Sequence, residues 1–150
     1  VAAKLMSAVA SDFGDELRWM HSQGLLDLET RPHKGPGGFM DNLEKRRVPV
    51  IFANSGTTHG DVETLVHEGG HALNGFFCRD LEPVNYRTPP LEFAEVASMG
   101  LEALAMEHLG EVYPENEVQR ARRDSLEGML STFAWVATID GFQQWMYTHP

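Results

Sequence analysis

The chain has 150 residues, 42% of them hydrophobic and 23% charged, with no apolar run approaching the roughly 20 residues of a membrane span, so a single soluble globular domain is expected. Twelve Lys and Arg against 22 Asp and Glu give a formal charge of -10, which opposes a nucleic-acid partner. The nearest basic run, Arg120, Arg122 and Arg123, lies among Glu115, Glu117 and Glu127 and reads as a solvated helix face.

A single cysteine, Cys78, excludes an intrachain disulfide framework and a Cys-rich zinc module, and is compatible with a reducing, cytoplasmic setting. Leu5, Val9, Phe13, Leu17 and Met20 recur at steps of three and four and predict one amphipathic helix ending near Gly24. Residues Arg31 to Gly38 hold two prolines and three glycines and predict a surface loop. Val48 to Asn54 is short and β-branched, and Pro49 favours an edge strand or a strand start. A helix follows over about 61–77 with the stripe Val62, Leu65, Val66, Gly69, Leu73 and Phe76, which places His67 and His71 on nearly the opposite side. A third helix is expected over about 91–109, behind Pro89 and Pro90, with Phe93, Val96, Ala97, Gly100, Leu101 and Leu104 as its buried stripe. From about 115 to 147 the pattern is helical again, with a break expected around Thr132 to Ile139. The N-terminus has no leader pattern and the last helix carries no stop signal, so both ends read as cut.

His67-Glu68-Gly69-Gly70-His71 matches H-E-x-x-H. Histidines four apart on a helix reach one Zn²⁺, while the Glu beside the first can act on a metal-activated water without itself ligating. A catalytic zinc takes three protein ligands and leaves a position open. The extended motif with a third histidine needs Gly at 74 and His at 77, where this chain has Asn74 and Phe77. The remaining pattern draws a Glu from a later helix. Glu95, 24 residues after His71, is the best placed, with Glu102 two turns on as an acceptor for a ligand imidazole and Glu92 as a further acidic neighbour.

His67 to Ala72, followed by Glu95-Val96-Ala97-Ser98-Met99 and Glu102, resembles the oligoendopeptidase F branch of the thimet oligopeptidase (M3) family of zinc peptidases. Asp27-Leu28 with the Lys34 to Phe39 loop, Asp61 to Val66, and Thr138-Ile139-Asp140 with Phe142 agree with it. Gly69 stands where many members carry a bulky residue, and Asn74 where many carry His; neither removes a ligand. The resemblance implies a mainly α fold, zincin-like catalytic helices with a small β element, forming part of a larger helical bilobed peptidase. Residues 1–150 would then be one catalytic-core fragment, and its partners short peptides and the remainder of the parent chain, with neither nucleic acid nor membrane. The reaction implied is hydrolysis of internal peptide bonds, with one Zn²⁺ per chain on His67, His71 and Glu95 and Glu68 as general base. The strand before the zinc helix is expected to pair with the substrate backbone near Ala53 and Asn54. Two other readings share these residues: a zinc-binding piece that does not turn over, and an acidic helical interaction module without metal.

Overall fold

In the computed structural model residues 1–149 are described. Pro150, where the chain is expected to be cut, lies outside the described residues. The chain divides into two compact units, Val1–Val112 and Tyr113–Pro150, where length alone suggested one.

The first unit opens with two helices rather than one, α1 (Ala2–Val9) and α2 (Ser11–Ser22). Ala10 between them is extended, with φ -154° and ψ 137°. The steps of three and four hold on both sides of the break, so periodicity alone does not reveal it. Gly14 permits the fold-back: a Cβ there would sit 1.9 Å from Ser7 Oγ and 2.3 Å from Ala3 O, so only glycine lets α2 pack this tightly on α1.

Three strands follow, β1 (Leu26–Glu29), β2 (Gly38–Leu43) and β3 (Val48–Ser55), in the order β1-β3-β2. Of the two places that Pro49 favours, the strand start is the one found: β3 is the central strand, parallel to β1 and antiparallel to β2, and Pro49 is its second residue. Pro49 is tolerated because β1 pairing begins only at Leu26 opposite Ile51, so nothing is lost where Pro49 lacks an N–H. Ala53 is buried and paired with Gly38 of β2, so the backbone at Ala53 and Asn54 offers no open edge to a substrate. The outer edges of the sheet belong to β1 and β2. Ile51 donates its N–H to Leu25 O on the β1 side, so its partner Met40, like Gly38 and Asn42, turns its own N–H and C=O away from the sheet.

Helix α3 (His59–Cys78) begins two residues earlier than Asp61 suggests. Thr58 is its N-cap and Asp61 its third residue: Asp61 N–H donates to Thr58 Oγ1, and Thr58 N–H donates to Asp61 Oδ2 at 2.8 Å, a reciprocal capping box. Its expected stripe holds, with Val66, Gly69, Leu73 and Phe76 buried. After 3₁₀ turns at Val84–Tyr86 and Leu91–Phe93, α4 (Ala94–Met106) is shorter than the 91–109 expected, and a further 3₁₀ turn covers Leu109–Glu111. Its stripe is a correction. Phe93, Val96 and Leu104 are 65%, 64% and 53% exposed, and the buried residues are Ser98, Leu101 and Ala105.

The second unit is one helix, α5 (Glu115–Thr148), unbroken through Thr132 to Ile139. The β-branched residues there do not interrupt it, and the hydroxyls of Thr132 and Thr138 are satisfied within the helix, on the carbonyls of Gly128 and Ala134 one turn back. Among the described residues, no helix is long and apolar enough to cross a membrane.

Candidate metal centre

The site forms where α3 and α4 touch. Gly70, inside the H-E-x-x-H segment, is the point of contact: an added Cβ would lie 2.6 Å from Ser98 Cα and 2.7 Å from Ala97 O, both backbone atoms of α4. The missing side chain lets the two helices close. On α4, positions 95, 98, 102 and 105 share one face at helical spacing, and that face meets α3.

The closure brings Glu95 Oε2 to 3.2 Å from His67 Nε2 and 3.4 Å from His71 Nε2. Among the described residues these three form the single group of His, Cys, Asp or Glu able to hold a metal, with donor atoms within 4.8 Å of one another. Ligands about 2.05 Å from a tetrahedral zinc lie about 3.3 Å apart, so the Glu95 contacts have the separation such an ion imposes. Two imidazoles and one carboxylate also suit zinc and leave a fourth position for water.

The groups behind the ligands fix their direction. Glu102 Oε1 is hydrogen-bonded to His67 Nδ1, which leaves Nε2 facing Glu95. That hydrogen bond, reinforced by the charges of Glu102, Glu68 and Glu95, holds the His67 pKa above its ordinary value despite partial burial. The Ser98 hydroxyl lies 2.7 Å from Glu95 Oε2 and orients it. Ser98 is completely buried, and sequence reasoning gave it no role of its own beyond the stretch that carries the resemblance; the Glu-x-x-Ser spacing on a helix was the available signal.

Glu68 is 7% exposed. Burial pushes its carboxyl above its ordinary pKa, and the nearby His67 and His71 oppose that rise. A groove of about 380 Å³ continues from His71 along β2, lined also by Asn42, Asn74, Pro89 and Leu91. Glu92 does not join the group; it lies on the exposed Leu91–Phe93 turn before α4. Ala53 lies in the sheet interior, and the Asn54 amide donates to Gly35 O and Gly37 O at 2.8 and 3.2 Å.

Comparison with known proteins places this geometry. The sequence pattern of peptidase family M3 matches residues 9–150. Chromosomal oligoendopeptidase F of Lactococcus lactis subsp. cremoris is 25% identical over 132 residues, 88% of this chain and 21% of that protein. Oligopeptidase PepF of Bacillus subtilis is 36% identical over 86 residues, 57% of this chain and 12% of that protein. Among solved structures, one described as an oligoendopeptidase F of Bacillus anthracis aligns with TM-score 0.76 and 26% identity, covering 84% of this chain and 23% of that one. PZ peptidase A, solved with an inhibitor, aligns with TM-score 0.72 and 28% identity over 80% of this chain and 21% of that one. The chain thus spans about a fifth of the length of the first of these relatives.

Proposed function

Because the chain belongs to peptidase family M3, we propose that it is the zinc-holding part of an oligoendopeptidase, with His67, His71 and Glu95 as ligands of one Zn²⁺ and Glu68 as the general base that opens internal bonds of short peptides. The carrying observation is the Glu95 carboxylate at 3.2 and 3.4 Å from two imidazoles presented by the other helix. When bound, zinc supplies Lewis-acid polarisation of the scissile carbonyl and of the attacking water.

The chain's own residues do the rest. Glu68, with its pKa raised by burial, takes the proton of the attacking water and returns it to the leaving amine. Glu102 holds the His67 ring so that Nε2 faces the ligand position, and Ser98 does the same for Glu95. Pairing with an extended peptide falls to the outer edge of β2 at Gly38 and Met40, in place of Ala53 and Asn54, the Asn42 N–H being taken by Asp41 Oδ1. The groove beyond His71 gives that peptide room. The unpaired Cys78 accords with a cytoplasmic setting.

The test is Glu68→Gln in this chain, measured by zinc content and by cleavage of an internally quenched peptide. The variant is expected to keep one zinc and lose at least about a hundredfold in rate. A wild-type chain that binds zinc and cleaves nothing would favour the metal-holding piece without turnover, and a folded chain that takes up no zinc would favour the interaction module.

A further inference from the structure

The main-chain ladder that β2 offers an extended peptide ends early. Gly38, Met40 and Asn42 all turn their main-chain groups away from β3, but the Asn42 N–H is taken by Asp41 Oδ1 at 2.8 Å, so the main-chain donors open to a peptide stop at Met40. The groove of about 380 Å³ beside His71 runs on past that point, with Asn42 in its wall. A peptide lying in it brings its own carbonyl oxygens, and each one taken from water without a donor costs free energy.

Two side-chain carboxamides line the groove where the ladder stops, Asn42 from β2 and Asn74 from α3. Asn74 comes three residues after His71, close to one helical turn, and so continues the face that carries the two histidines. Its Oδ1 accepts the Cys78 thiol at 3.9 Å, a contact that makes no use of its NH₂ group. Asn42 is held against the same helix. An added Cβ at Gly75 would lie 2.7 Å from Asn42 Oδ1, so this carboxamide reaches α3 only because position 75 has no side chain. Both asparagines are partly buried, and among the described residues neither side-chain NH₂ group donates to the protein. Pro89 and Leu91, also in the wall, bring no polar side chain. The two amides are thus the neutral donors that match peptide carbonyl oxygens in a groove opening from the candidate metal centre.

We propose that Asn42 and Asn74 are substrate-binding residues whose side-chain N–H groups donate to main-chain carbonyl oxygens of the peptide, beyond the point where the β2 edge stops pairing. Substrates are then selected by how far their main chain extends into the groove. The inference rests on the reading of the chain as a peptidase that pairs peptides with β2, and its first readout needs no turnover. The zinc-loaded Glu68→Gln chain is titrated with a fluorescent peptide of about eight residues, and with versions shortened by a dipeptide at either end. Asn74→Ala and Asn42→Ala, added to that chain, are each expected to weaken binding of the full peptide about fivefold, the worth of one hydrogen bond. One of the shortened peptides is expected to bind the parent chain about tenfold more weakly than the full one and to respond to either substitution by under about twofold, since the carbonyls it has lost are the ones the amides meet. With Glu68 in place, the same substitutions are expected to raise KM about fivefold and to leave kcat within about twofold. Should Asn42→Ala, which opens a gap beside Gly75, fail to fold, the comparison with Asn74→Ala decides alone. Full affinity in the variants, or a loss of the same size on all three peptides, would overturn the proposal. A wild-type chain that holds zinc and cuts nothing would defeat the hydrolytic reading alone, and the peptide Kd values would still decide the role of the two amides.

Discussion

Helices α3 and α4 carry the site between them, and they differ in how well the apolar pattern of the sequence foretells what each buries. Helix α3 packs its apolar stripe inward and starts on a side-chain capping box; α4 leaves Val96 and Leu104 in solvent, buries Ser98, and has no side-chain cap. Ordinary amphipathic logic assumes that polar residues seek water. For α4 the assumption fails because Glu95, Ser98 and Glu102 have partners on α3 and on their own helix, and Gly70 lets the helices approach closely enough for those partners to be met. Burying polar groups is costly only when they are unpaired.

The contrast can be broken most severely at the contact itself. Gly70→Val places new atoms against α4 backbone that cannot move aside, so the helices must separate. Zinc binding is expected to fall by at least about a hundredfold and unfolding free energy by about 1–3 kcal/mol, read by metal titration and urea denaturation. Next comes the inverted burial of α4. Leu101→Ala is expected to cost about 2–4 kcal/mol and Leu104→Ala under about 0.5 kcal/mol in the same denaturation measurement, although the sequence pattern ranks the two alike. The smallest effect concerns the cap that α3 has and α4 lacks. Hydrogen bonds from Thr58 hold the Asp61 carboxyl below its ordinary value of 3.8. A carboxyl lowered in the folded state contributes its stability in full above the ordinary value and loses it as pH falls through the lowered one. Denaturation midpoints measured from about pH 6 downward should therefore show an acid slope that Asp61→Asn reduces.

Much of the site was legible because it rests on local rules. Histidines four apart on a helix share a face wherever that helix packs, and the α3 stripe needed only its period. What escaped depended on distant partners. The break at Ala10 needs Gly14 against Ser7, and the central place of β3 needs β1 and β2 as neighbours. The burial of Ser98 needs Gly70 across the helix contact. Lys34 was visible only as part of a loop, whereas its buried ammonium donates to Asp27 O, Asp27 Oδ1 and Glu29 O of β1 and to Ala53 O of β3, none of them a sequence neighbour. Glu92 was drawn toward the site by its spacing, but it is exposed on the 3₁₀ turn before α4 and is not in the group formed by His67, His71 and Glu95.

The central claim is that α4 supplies the third ligand from the face it turns to α3. Zinc titration of Glu95→Ala beside wild type tests it most directly. The account predicts one zinc per wild-type chain and an affinity lowered by at least about a hundredfold in the variant, with α3 and its two histidines still folded. A Glu95→Ala chain that binds zinc as tightly as wild type would contradict it.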